Sequence, residues 1–197
     1  MTSDPPVGPV AQRIPPRSTY RLQLGPDLSF SDAAQVADYL ADLGVTHAYL
    51  SPILSASPGS THGYDVIDHT TVNPELGGER GFRSLVKALH AHGVGVVVDI
   101  VPNHMAIPVP ESLNHALWAV LRDGRASEYA GWFDVDWDAA GGRIVLPLLD
   151  GPLADNAEHL SIVRRPGEPP ELRYFDHRFP LAEGTARLPF AESSEER

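Results

Sequence analysis

From Ser18 onward the apolar and polar positions fall into recognisable periods. Tyr20, Leu22 and Leu24 alternate with polar neighbours, which predicts a short strand. Asp27-Leu28-Ser29 reads as a turn, with Ser31 or Asp32 expected to cap a helix. Ala33, Val36, Ala37, Leu40 and Leu43 then recur at helical spacing, and Gly44 stands where a helix stop belongs. Val45 to Leu50 is a β-rich run closed by Ser51-Pro52, and a long glycine- and histidine-rich loop is expected from Ser51 to Gly78. Phe82, Leu85, Val86 and Leu89 line one face of a second helix that should end at Gly93. Val94 to Val101 is apolar on both alternations apart from Asp99, which predicts a strand buried on both faces, as in a helix-covered parallel sheet.

The order strand, helix, strand, loop, helix, strand reads as two overlapping right-handed βαβ crossovers. After Pro102 the rhythm breaks. One more helix is expected from Ser112 to Asp123, followed by short strands at Ile144–Leu149, Leu160–Arg164 and Leu172–Phe175 separated by glycine and proline turns. Six of the 19 prolines precede residue 27 and ten follow residue 101, so the regular part is the middle. The expected organisation is a disordered leader over 1–16, an α/β part over 17–107 and an irregular β-rich subdomain over 108–197.

Composition narrows the functions. Asp plus Glu number 26 against 15 for Lys plus Arg, a formal charge of −11, which disfavours nucleic acid or an anionic membrane as partner. No apolar run approaches the roughly 18–20 residues that span a bilayer. Residues 1–16 contain no apolar signal-peptide core, so a cytoplasmic location is expected. The chain has no cysteine, which excludes disulfides, thiolate metal sites and thiol nucleophiles within it. Gly93-Val94-Gly95 lacks a third glycine and precedes a strand, so it is no dinucleotide fingerprint. No cofactor is expected.

The candidate chemistry gathers after the predicted strands, the edge at which ligands bind in parallel α/β folds. Thr61-His62-Gly63-Tyr64-Asp65 and Asp68-His69 follow the second strand, and Asp99, Asn103 and His104 close the third. An aromatic ring, imidazoles and carboxylates converging there suit a sugar, with its apolar face ringed by hydroxyls. The same donors also suit zinc or manganese, through His62, Asp65, Asp99 and His104. His47, His115, His159 and His177 read as structural.

Asp99-Ile100-Val101-Pro102-Asn103-His104 resembles the end of the third barrel strand in the α-amylase superfamily, and His62-Gly63-Tyr64-Asp65 with Asp68 resembles its segment after the second strand. Ser18-Thr19-Tyr20-Arg21-Leu22-Gln23-Leu24, Tyr49-Leu50-Ser51-Pro52-Ile53-Leu54, Pro58 to Val66 and Val101 to Met105 are similar to the trehalose-forming branch of that superfamily. Leu146-Pro147-Leu148-Leu149 and Tyr174-Phe175-Asp176 fit that branch's inserted subdomain.

The resemblance implies a fold and an activity. The fold is α/β: the first three parallel strands of a (β/α)8 TIM barrel with their helices, then the subdomain inserted after the third strand. The activity is isomerisation of the reducing-end α-1,4 bond of a maltooligosaccharide to an α,α-1,1 bond, in trehalose biosynthesis, with a trehalose-releasing hydrolase acting next. It assigns Tyr64 to stacking on the sugar and His62 and His104 to its hydroxyls. Asp99, Asp65 and Asn103 support the site, and no metal is assigned; Asn103, which matches a calcium-binding asparagine of many amylases, is carried over as structural. The superfamily's nucleophile, general acid and further aspartate match no position here, so an N-terminal fragment with no catalytic residue of its own is expected. A hydrolytic, amylase-like enzyme and a non-catalytic sugar-binding module are the competing readings.

Overall fold

A computed structural model describes residues 15–181 and 191–194. The leader expected over 1–16 lies, except for Pro15 and Pro16, outside the described residues. The chain forms two compact units, Met1–His104 and Met105–Arg197.

The first unit contains β1 (Thr19–Leu22), α1 (Phe30–Gln35), α2 (Ala37–Asp42), β2 (His47–Leu50), β3 (Leu54–Ala56), β4 (Val66–Val72), α3 (Gly78–Ala91) and β5 (Gly95–Val98). β1, β2 and β5 make a parallel sheet in that order. Their register aligns Arg21, Tyr49 and Val97 in one row and Leu22, Leu50 and Val98 in the next. Because side chains alternate faces along a strand, these rows point to opposite sides of the sheet. The Leu22 and Leu50 side is the core: with Leu24, Ala48 and Val94 it meets Phe30, Leu40, Leu85 and Leu89 from the helices, all buried. The opposite side carries the polar row.

Local differences from the sequence reading have physical causes. The helix expected through 33–43 is two short helices, because Val36 leaves helical geometry at φ −101°, ψ 12°; Ala33, Ala37 and Leu40 stay buried on either side of that break. Its cap is Ser29 rather than Ser31 or Asp32. The Ser29 hydroxyl accepts from Asp32 N, and the Asp32 carboxylate accepts from Ser29 N at 2.9 Å, a reciprocal capping box. The expected 51–78 loop contains the antiparallel pair β3–β4, for which the β-branched run Val66 to Val72 has the propensity. The third parallel strand is not buried on both faces. β5 is an edge strand, its residues are half-buried, and Ile100 beyond it is 66% exposed. Gly95 in that strand has a steric role, since a Cβ there would run into the buried ring of His47.

The second unit opens with a 3-10 turn over Glu111–Leu113 and α4 (His115–Asp123). Helix α4 starts three residues later than expected. Asn114 caps it, accepting from Leu117 N at 3.0 Å while its amide donates to the Ala106 carbonyl at 2.9 Å. After α5 (Leu153–Asn156) come β6 (Leu160–Arg164), β7 (Glu171–Tyr174), β8 (His177–Pro180) and β9 (Ala191–Ser194), a sheet ordered β8-β7-β6-β9 with only the β6–β9 pair parallel. Ile144–Leu149 is not a strand; Pro147 at its centre has no N–H to give a ladder. Among the described residues no helix is long and apolar enough to cross a membrane.

Candidate functional site

Strand phase builds the site. Arg21 on β1 and Tyr49 on β2 are register partners on the polar side of the sheet. Asp99 lies two residues beyond Val97 and therefore shares their face, and its N–H continues the ladder to the Leu50 carbonyl at 2.9 Å. The Arg21 guanidinium lies 5.0 Å from the Tyr49 ring centroid, a cation–π contact. The Tyr49 hydroxyl donates to Asp99 Oδ2 at 2.9 Å. Asp99, which interrupts an otherwise apolar strand, is thus a carboxylate with partners, as a half-buried charge requires.

Tyr64 reaches this row from the segment after β3. Its phenol donates to Asp99 Oδ2 at 2.5 Å and accepts from Arg21 at 3.0 Å, while Arg21 also donates to Gln23 Oε1 at 3.1 Å and approaches Asp99 at 3.5 Å. Asp99 is consequently held below the usual carboxylate range, first by the Tyr64 hydrogen bond, with Tyr49 and Arg21 adding to it against partial desolvation. Arg21 is raised by its bond to Tyr64, and Tyr49 by donating to Asp99.

The backbone around Tyr64 is held from several directions. Gly63 sits at φ +76°, and a Cβ there would stand 2.7 Å from the Pro52 carbonyl oxygen, so only glycine fits the close crossing. Asp65 accepts from the Ser60 hydroxyl at 2.5 Å, and the Ser60 oxygen accepts from Gly63 N at 3.0 Å. Glu75, at the entry to α3, accepts from Gly59 N at 3.0 Å.

The six residues expected at the site are brought to one edge. His62 Nδ1 accepts from Tyr64 N at 3.0 Å, which leaves its other ring nitrogen available to a ligand hydroxyl. His104 Nε2 donates to the Tyr64 carbonyl at 3.2 Å, and its Nδ1 lies 3.2 Å from Asn103 Oδ1, so both nitrogens of His104 face protein atoms. Tyr64 remains 36% exposed. Among the described residues no three His, Asp or Glu side chains converge as metal ligands. Asp68 is turned to Thr70, whose hydroxyl and N–H it accepts at 2.6 and 2.7 Å. Sequence reasoning missed Arg21, Tyr49, Gln23 and Ser60. For Arg21 and Tyr49 a signal existed, since each occupies the polar phase of a strand whose other phase is core.

The arrangement offers a half-exposed phenol ring fixed at its hydroxyl end by a carboxylate and a guanidinium, with imidazoles at its backbone. It suits stacking and hydrogen bonding of an uncharged polyol. Comparison with known proteins gives this a setting. A Mycobacterium tuberculosis protein provisionally named maltooligosyl trehalose synthase is 53% identical over 141 residues, 69% of this chain and 18% of that one. The solved structure of maltooligosyltrehalose synthase from Arthrobacter ramosus superposes with TM-score 0.77 at 48% identity, covering 86% of this chain and 21% of its own. The intracellular maltogenic amylase of Bacillus subtilis is 39% identical over 99 residues, 50% of this chain and 16% of the amylase. The chain thus spans about a fifth of the length of these relatives. Residues 33–147 match the alpha-amylase catalytic-domain model, and the chain belongs to that family.

Proposed function

We propose that this chain carries part of the sugar site of an intramolecular transglycosylase that converts the reducing-end α-1,4 bond of a maltooligosaccharide to an α,α-1,1 bond. The observation that carries the proposal is the extent of the likeness. The Mycobacterium tuberculosis relative matches 69% of this chain at 53% identity, whereas the Bacillus subtilis amylase matches 50% at 39%. What favours the synthase over a hydrolase is therefore a match that is both longer and closer.

In this reading residues 17–107 are the first part of a (β/α)8 barrel and 108–197 the subdomain inserted after its third strand. The catalytic carboxyl pair lies outside the 197 residues. Tyr64 stacks on the sugar at the bond to be broken. His62, through its outward nitrogen, binds a hydroxyl; His104, Asp65 and Asn103 hold the Tyr64 segment. Asp99 and Arg21 fix the phenol, so the ring meets a flattening, positively charged sugar without reorganising. A retaining displacement frees glucose, which stays bound and attacks the glycosyl intermediate through its anomeric hydroxyl in place of water. The product, a trehalose-ended glucan, calls for a hydrolase that releases the disaccharide. The polypeptide works in the cytoplasm.

The test is an exchange. Residues 19–181 of this chain, which span both units, replace the equivalent stretch of the Arthrobacter ramosus synthase, and products from maltopentaose are resolved. Non-reducing, trehalose-ended product supports the proposal. Net hydrolysis by a soluble, folded chimera overturns it in favour of an amylase-like enzyme. Within the chimera, Tyr64→Ala should lower kcat/KM about ten- to a hundred-fold if sugar stacking resembles base stacking, at about 1–3 kcal/mol.

A further inference from the structure

The segment after β5 carries Asp99, Asn103 and His104 with little backbone support of its own. Asp99 N makes the last bond of the ladder, and among the described residues no backbone group from Ile100 to His104 bonds to another backbone group. Pro102, inside that stretch, has no N–H to offer. Both ends are tied to Tyr64: its phenol donates to Asp99 Oδ2 at 2.5 Å, and the His104 ring donates to its carbonyl at 3.2 Å. The middle is held by His69, which the proposed chemistry does not use. His69 Nε2 donates to the Val101 carbonyl at 2.8 Å. Val101 is buried, so that carbonyl needs a protein donor. His69 itself is half-buried and sits within β4, which is paired to β3, so its ring starts from a fixed backbone.

We propose that His69 is a positioning residue for the sugar site: by fixing Val101 it sets the course of residues 100–104 and so the placement of His104 against Tyr64. The proposal rests on the maltooligosaccharide reading above and deepens it, assigning a residue that acts through His104 and Tyr64 rather than on the sugar. A purely structural histidine would satisfy the Val101 carbonyl and end there. The difference lies in where that carbonyl sits. Strand residues are held by a neighbouring backbone, whereas this stretch depends on side chains, and releasing its middle frees its far end. A site is preorganised only within roughly 0.5 Å, and misplacement of that order is felt more in the transition state than in binding. Loss of the His69 donor should therefore lower kcat more than it raises KM.

The test compares three substitutions. His69→Phe keeps a ring and removes the donor, His69→Gln puts an amide N–H about where Nε2 stands, and His69→Asn carries the same amide too short to reach. In the 197-residue chain, the NMR signals of the Tyr64 and His104 rings should shift in His69→Phe and His69→Asn and stay in His69→Gln. The core methyl signals of Leu40 and Leu85 should hold in all three. In the chimera described above, kcat/KM should fall about tenfold for His69→Phe and His69→Asn, mainly through kcat, and return to within about threefold for His69→Gln. Unmoved ring signals, an unchanged kcat, equal behaviour of His69→Gln and His69→Asn, or loss of the core methyl signals in all three overturns the positioning role. Net hydrolysis by the chimera with His69 in place overturns the reading of the reaction, while the ring signals of the chain still decide the role of His69.

Discussion

The Tyr64 phenol donates to Asp99 Oδ2 at 2.5 Å, joining a loop residue to the end of a parallel strand 35 positions later. The contact fixes the ring proposed to meet the sugar, and it fixes the protonation state of the carboxylate. Asp99 titrates below its ordinary value of 3.8, chiefly because Tyr64 donates to its ionised form. A carboxyl group whose folded value is depressed contributes stability above its unfolded value, and that stability is lost as pH falls through the folded value. Tyr64→Phe should therefore move the Asp99 carboxyl 13C titration upward toward 3.8 and flatten the acid limb of the stability curve below about pH 4. An unmoved midpoint would mean that Tyr49 and Arg21 hold Asp99 by themselves.

Gly63→Ala tests the approach of the loop. At φ +76° an alanine carries about 1–2 kcal/mol of left-handed strain, and its Cβ would also meet the Pro52 carbonyl, which is backbone and cannot swing aside. The expected result is a lowered melting temperature together with loss of the Tyr64 response to maltooligosaccharide. Gly59→Ala is the comparison, with a similar φ of +73° but open space around its Cβ, and it should show the strain without the clash.

In the second unit, Glu111 is 1% exposed and accepts from His177 Nδ1 at 2.6 Å and Arg178 N at 2.8 Å. Removing the partner leaves a buried carboxylate short of a donor, whereas neutralising the carboxylate does not. His177→Ala should thus destabilise by about 3–5 kcal/mol, and Glu111→Gln by less, since an amide oxygen still accepts from Arg178 N. Urea unfolding of the variants measures the difference. Equal losses would mean that packing of the His177 ring against Tyr174 and Phe179 outweighs the hydrogen bond to Glu111.

Much of this was readable from periodicity because the core demands it. Leu22, Ala48, Leu50, Leu85 and Leu89 are buried for the reason the pattern states, one strand phase or helix face turned inward. His62, Tyr64, Asn103 and His104 reach one edge because parallel strands end on the same side. What the pattern could not carry is pairing that depends on neighbours in space. β3 is three residues long and has no period of its own; it is a strand because β4 lies beside it. The exposure of β5 follows from its place at the sheet edge, which its apolar sequence does not disclose. Arg21 looked like one polar residue of an alternating strand, and only the register with Tyr49 and Asp99 turns it into a clamp.

The last expectation is that the 197-residue chain by itself neither isomerises nor hydrolyses maltopentaose. Retaining cleavage requires two carboxyl groups about 5–5.5 Å apart, one protonated and one ionised. The carboxylates nearest Tyr64 are already committed as acceptors: Asp99 to Tyr64, Tyr49 and Arg21, and Asp65 to Ser60. Asp68 belongs to Thr70, and although partial burial raises it, bonds from Thr70 and Thr71 leave it below the ordinary value. Asp99 and Asp68 are thus pushed toward the ionised form, and a general acid near neutral pH needs the opposite shift. Incubating soluble chain with maltopentaose and resolving products by chromatography checks this. Turnover above that of a Tyr64→Ala, His104→Ala control would overturn the expectation, and turnover that survives in Asp99→Asn would locate a catalytic pair elsewhere in these residues.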